Sequence, residues 1–251
     1  MNSPKSITRD AVLWENLRWT EIPEALRAVN GFVILPIGAT EQHGPHLPLG
    51  VDSMTAQAVA HAASQATRIP VLPEFKYGCS YGHSTKWPGT LSFSPSTLTK
   101  AVGDVVYWLV YSGVTRLAIL NGHVGNLAPL KCAVENLRLT NPDFRIRIIS
   151  LWDVSSDTYE FYHADADDFH ANCAETSLMM SLYPDMVKMS DAVDEVDKTE
   201  ACFFTYAMNK QSDYGVVGKP TEATKEIGDK YFKIVVSNLT EKLKKAINEE
   251  V

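Results

Sequence analysis

Along the chain, short and almost wholly apolar runs alternate with longer stretches in which apolar residues return every three or four positions. Gly31 to Ile37, "GFVILPI", is apolar throughout and predicts a strand buried on both faces. Ser53 to Gln65, "SMTAQAVAHAASQ", is Ala-rich and predicts a helix, with Asp52 or Ser53 as its cap. "RIPVLP" (68–73) and "GTLSFS" (89–94) read as short strands. Leu98 to Tyr111 carries an apolar stripe of Val102, Val105, Val106, Leu109 and Val110, and predicts a helix that packs on a sheet, with Ser96 as its cap. "RLAIL" (116–120) reads as a further strand, Leu127 to Leu139 as a helix, and "RIRIIS" (145–150) as a strand. Helices are predicted over Cys173–Leu182, stopped by Pro184, and over Glu222–Asn248.

Strands that alternate with helices in this way need crossover connections, so most of the sheet must be parallel and both of its faces covered. The expected fold is therefore α/β, a three-layer α/β/α sandwich, formed by residues 1–251 as one domain. In such a sheet, functional sites collect in the loops beyond the carboxyl ends of the strands. The segment from Ser190 to Lys219 is irregular and polar, and reads as a lid, a subunit contact or a plain excursion.

Three loops hold the chemistry. "IGATEQHGPHLPLGVD" leaves the first strand and gathers Glu41, His43, His46 and Asp52 among glycines and prolines. If the segment is extended, Glu41 and His43 share one side, because side chains alternate. "NGHVGN" follows the strand "LAIL" and carries His123. "HANCAETS" brings His170 to the start of a helix and Glu175 into its first turn. Without cations, three carboxylates packed together would force one to stay protonated. Three carboxylates, two divalent ions and one hydroxide balance to zero charge, and a neutral buried cluster escapes the desolvation cost of a charged one. Mixed oxygen and nitrogen donors suit Zn, Mn or Fe, and the absence of a thiolate argues against a structural zinc site.

Composition adds boundaries. With 251 residues, 45% of them hydrophobic, the chain can bury a full core. A net charge of −7 gives no nucleic-acid footprint. No apolar run approaches the ~20 residues that span a membrane. Four cysteines without CxxC spacing read as reduced thiols, and the expected location is cytoplasmic.

The motifs "LPIGATEQHGPHLPLGVD", "GHSTKWPGTLSF", "NGHVGN" and "HANCAETS", in that order from about Trp19 to about Leu182, resemble the creatininase (creatinine amidohydrolase) family. The resemblance implies a binuclear metal centre, hydrolysis of C–N bonds in small cyclic amides and related compounds, and homo-oligomers, often hexamers. It implies Glu41, His43, Asp52 and His123 as metal ligands, with Asp52 bridging, and His170 as a proton shuttle. Creatininase has a ligand glutamate two residues after the "NGH" histidine, where this chain has Gly125. Relatives with glycine there take a carboxylate from the "ETS" motif, which makes Glu175 the fifth ligand. His46, His83, Trp87 and Asn126 are expected to contact the substrate or to support the ligands, His46 by bonding a ligand carboxylate. Near the shuttle histidine creatininase has tryptophan, whereas this chain reads "ADADDFH", so the expected substrate is a small amide other than creatinine itself. The alternatives are a deformylase of a formamidopyrimidine nucleotide, which Lys76 and Lys86 beside the His83 loop would favour, a keto-inositol (inosose) ring hydrolase, and a non-catalytic metal-binding homologue.

Overall fold

The computed structural model describes residues 10–83 and 85–250. In chain order its elements are α1 (Ile22–Arg27), β1 (Phe32–Ile37), α2 (Val51–Thr67), α3 (Pro95–Tyr111), β2 (Arg116–Asn121), α4 (Leu127–Thr140), β3 (Arg145–Ser150), α5 (Ser156–Tyr162), α6 (Cys173–Leu182), α7 (Met208–Gln211) and α8 (Lys225–Ile247). The sheet has the order β1-β2-β3 and is parallel throughout. Its register sets Ile37 beside Asn121 and Asn121 beside Ser150, so the three strands end level.

Alternation along the strands divides the core in two. Phe32, Ile34, Ala118 and Leu120 face a cluster built with α2, α5, α6 and α8. Val33, Leu35, Ile37, Leu117 and Ile119 face the other way, toward α3 and α4. Helices thus cover both faces of an α/β fold, as the sequence pattern predicts. A fully buried aliphatic side chain such as Ile119 contributes about 1.5–3 kcal/mol. Among the described residues no helix is long and apolar enough to cross a membrane.

Two expected strands do not form. Residues 68–73 lie beside β1 but make only isolated parallel bridges, through Ile34 N–H to Pro70 O (2.9 Å) and Leu72 N–H to Ile34 O (2.8 Å). Pro70 and Pro73 have no N–H to donate, and on β1 the missing donor of Pro36 falls on this same side, so a continuous ladder cannot be made. Residues 89–94 contribute a single antiparallel bridge between Thr40 and Leu91, while Ser92 turns its hydroxyl to Ser80 N–H.

Helix starts also differ. α3 begins at Pro95, and Ser94 rather than Ser96 caps it by accepting Thr97 N–H at 3.1 Å. Proline at the first helical position loses no bond, because that N–H has no partner inside the helix. α8 begins at Lys225, capped by Thr224. α2 begins at Val51 after Gly50, so neither Asp52 nor Ser53 serves as its cap. The start of α2 instead rests against the carboxyl ends of β1 and β2. A Cβ on Gly38 would stand 2.2 Å from Ser53 N, and one on Gly122 2.4 Å from Asp52 O. Only glycine permits this approach, and the approach delivers Asp52 to the strand ends.

Gly38→Ala should therefore cost about 1–3 kcal/mol, the usual price of overpacking, read from the urea midpoint. Gly103→Ala, inside α3 where an added Cβ meets nothing within 4 Å, should instead gain about 0.5–1 kcal/mol. Equal effects of the two substitutions would refute the close-approach account.

Candidate metal centre

Beyond the level strand ends, five buried side chains converge from four places. Glu41 and His43 come from the loop after β1, Asp52 from the first turn of α2, His123 from the turn after β2, and Glu175 from the first turn of α6. Asp52 stands in the middle. Its Oδ1 lies 3.1 Å from His43 Nε2 and its Oδ2 3.2 Å from His123 Nδ1. Glu41 Oε2 is 3.4 Å from His123 Nε2, and Glu175 Oε1 is 3.9 Å from His43 Nε2. The donor atoms of Glu41, Asp52 and His123 fall within 4.8 Å of one another, and so do those of His43, Asp52 and Glu175. The two triads share Asp52. A third group joins Glu41 and His43 to His170.

Backbone carbonyls orient the imidazoles. His43 Nδ1–H donates to Glu41 O at 3.1 Å, which turns Nε2 toward Asp52. His123 Nε2–H donates to Cys79 O at 3.1 Å and leaves Nδ1 toward Asp52. Such outer contacts fix the tautomer a ligand histidine needs. Asn126, fully buried, braces the same region. It accepts from Cys79 N–H and donates to Gly38 O, so it supports the His123 turn and does not line the cavity. Gly125 is tight: a Cβ there would lie 2.2 Å from Cys79 O and 2.6 Å from His123 Nε2.

Glu175 occupies the third position of α6, whose cap is Asn172. Its Oε2 accepts Ala171 N–H at 2.6 Å while Oε1 faces His43, so one carboxylate both ties the helix start and reaches the cluster. His46 approaches differently from the sequence expectation. Its Nε2 bonds Thr176 Oγ1 at 2.8 Å, a neighbour of Glu175, and touches no ligand carboxylate. Trp87 does not line the cavity; its ring lies under Lys86 Nζ at 5.1 Å. His83 does line it, with Nδ1 3.4 Å from Glu41 Oε1.

His170 sits over the cluster. Its Nε2–H donates to Gln42 O at 2.8 Å, and its Nδ1 lies 3.6 Å from Glu41 Oε1. Gln42 was not anticipated. Between Glu41 and His43 the alternation argument turns it away from them, yet its side-chain amide reaches His83 Nδ1 at 3.0 Å and its Oε1 accepts Gly44 N–H. Ser80 was also missed, since nothing in its surrounding sequence marks it; it is buried, with Oγ 3.2 Å from His123 Nε2.

The segment from Ser190 to Lys219 crosses this region. Val217 pairs with His170 in an antiparallel bridge, and Tyr206, Met208 and Gln211 join Phe169 in walling a cavity of about 360 Å³ above Glu41, Asp52 and Glu175. No Lys or Arg lines it among the described residues. Lys86 turns away to Ser212 O (2.9 Å) and Asp213.

Electrostatics show what the cluster lacks. Burial raises Glu41 above the usual carboxylate range and Glu175 to about 7. Burial opposes ionisation of Asp52 as well, but His43 and His123 hold it far below its usual value. Burial would lower His43, yet Asp52, Glu175 and Glu41 hold it up to about 10; His123 is held up to about 9 by Glu41 and Asp52 against the same burial. Burial and then His43 push His170 well down. Among the described residues two buried carboxylate oxygens, Glu41 Oε2 and Asp52 Oδ2, make no well-aligned hydrogen bond, although His123 ring nitrogens lie 3.4 and 3.2 Å away. Such buried acceptors beside carbonyl-oriented imidazole nitrogens form a donor set that fits divalent cations.

A family model described as creatininase, creatinine amidohydrolase, matches residues 15–243. The creatinine amidohydrolase of Pseudomonas putida is 29% identical, over 93% of this chain and 95% of that protein. The mycofactocin precursor peptide peptidase of Mycolicibacterium smegmatis is 30% identical, over 90% of each. A mutant creatininase of the Zn-Zn type superposes with a TM-score of 0.85 at 26% identity, over 95% of this chain and 99% of that one.

At pH 7 the metal-free His43 and His123 hold protons that a cation must displace, so metal affinity should fall as pH falls from about 9 toward 6. Zinc titrated into metal-free protein should release protons, measured calorimetrically in buffers of different ionisation enthalpy. A heat of binding that does not change with buffer would contradict this.

Proposed function

The chain belongs to the creatininase family and is a metal-dependent hydrolase, and from that premise we propose that it hydrolyses the C–N bond of a small, uncharged amide. The observation that carries this reading is the pair of triads sharing Asp52 beneath a cavity without cations. Glu41, Asp52 and His123 would hold one ion; His43, Asp52 and Glu175 would hold the other. When bound, such ions lower the pKa of water from 15.7 to about 7 and polarise a carbonyl group.

His170 moves the proton. Burial keeps its ring neutral, and with Nε2–H committed to Gln42 O its Nδ1 carries the free lone pair. Nδ1 takes a proton from the attacking water and returns it to the leaving nitrogen, a contribution of about 10²–10⁴-fold for a positioned acid–base group. The Gln42 carbonyl keeps the ring in that tautomer, and Gln42's amide holds His83 at the cavity wall. Phe169, Tyr206 and Met208 supply apolar walls that exclude bulk water.

A phosphorylated substrate loses support, because Lys86 is bound to Ser212 and Asp213 and Lys76 pairs with Glu74. An amide at a peptide end is the second reading, favoured by the 30% identity to a peptide peptidase over nine-tenths of both chains. We also read the protein as cytoplasmic and homo-oligomeric. The exposed aromatics Tyr107, Trp108 and Tyr111 on α3 are the kind of patch that a subunit contact covers.

A screen of zinc- and manganese-loaded protein against cyclic amides, formamides, keto-inositols and short peptides, with release of amine, formate or carboxylate measured, tests the reading. Activity confined to phosphorylated formamides would overturn it. His170→Ala should keep both metals by elemental analysis and lose about 10²–10⁴-fold in turnover; loss of a metal instead would make His170 a ligand. Asp52→Ala should lose metal from both positions, and two full equivalents retained would sink the bridging role.

A further inference from the structure

One edge of the sheet is bare. β1 is flanked by the bridges of residues 70–75, but among the described residues β3 pairs only with β2. Arg145 N–H points inward to Thr115 O at 3.0 Å. In a parallel ladder alternate residues bond the same neighbour. The N–H and C=O of Ile146 and Ile148 therefore face outward, and no backbone group among the described residues meets them. Both side chains are only partly buried.

This edge is the floor of a groove of about 560 Å³ between α4 and α8. The groove carries seven basic side chains and two acidic ones, on a chain whose net charge is −7. Of the two acids, Glu135 is already paired with Arg138. Among the described residues Lys131, Arg147, Lys242 and Lys245 pair with no carboxylate, and at one end the buried Arg116 Nε meets no acceptor while its other nitrogens bond Asn30 O and Glu249 O. Isolated cations on an edge strand deter pairing with an identical edge. A second copy docked strand to strand would bring two sets of Arg145, Arg147, Lys242 and Lys245 together, so charge selects a different occupant.

We propose that the β3 edge binds an acidic segment of a partner protein in extended form, adding it to the sheet as a further strand. Main-chain bonds to Ile146 and Ile148 supply the pairing, and Arg147, Lys242 and Lys245, on the α8 side of the sheet, take alternate carboxylates. A strand matching β3 spans about 20 Å, or six residues at ~3.3 Å each. The groove opens at the amino ends of the strands, away from the carboxyl ends where the cavity lies, so binding here needs no turnover.

The test uses a fluorescein-labelled peptide of four Glu-Thr repeats and fluorescence anisotropy with the intact protein. Saturable binding is expected. Lys242→Glu/Lys245→Glu, both exposed on α8, should weaken it by about tenfold or more, the size of effect that electrostatic complementarity supplies. A peptide N-methylated at alternate residues keeps its charge but cannot pair as a strand, and should not bind. Equal binding of the methylated peptide would reduce the groove to a charged surface and overturn the proposal, as would absence of binding at millimolar peptide. A change in sedimentation of the free protein caused by the same double substitution would assign the edge to a second copy instead.

Discussion

Three carboxylates buried around two imidazoles set the terms for the rest of the molecule. Asp52 is flanked at 3.1 and 3.2 Å by ring nitrogens, and Glu41 and Glu175 are both driven toward protonation. Such a cluster is costly unless cations neutralise it, and it is tolerated only because the scaffold holds it rigidly. The level ends of three parallel strands, the glycine contact that seats α2 against two of them, and the carbonyls of Glu41 and Cys79 all serve that fixation.

The elements that pack on the sheet were legible in the sequence because burial on one or both faces imposes a period. β1, β2, β3 and the helices α2, α3, α4, α6 and α8 follow that rule, with boundaries shifted by a few residues where proline or a capping hydroxyl decides the first turn. Residues 68–73 do not form the expected strand because local apolar content says nothing of the donors its prolines lack, and residues 89–94 make one bridge because Ser92 bonds Ser80 N–H through its side chain. The five expected ligands share one titratable chemistry, and the structure brings them together. Gln42 was hidden by the alternation that exposed its neighbours. Tyr206, Met208 and Gln211 were hidden because an aperiodic segment gives no hint of which side it turns inward.

That aperiodic segment is held by specific contacts. Ser212 accepts the N–H groups of Gly215 and Val216 and donates to Glu195, which also accepts from Asp213 and Tyr214 N–H. Lys198 pairs with Asp213 and Lys86 reaches the same carboxylate. One turn therefore links the cavity wall to the loop that carries His83, and Val216 anchors that turn in a small apolar cluster with Leu47, Val51, Ala171 and Met179.

Gly125 leads somewhere less obvious. A side chain there would strike the Cys79 carbonyl and the ring of His123, while the carboxylate facing His43 arrives from α6 on Glu175. Any side chain at position 125 would thus have to displace the Cys79 carbonyl and the His123 ring that Cys79 orients, so the backbone at this turn is tied to the imidazole and cannot vary independently of it.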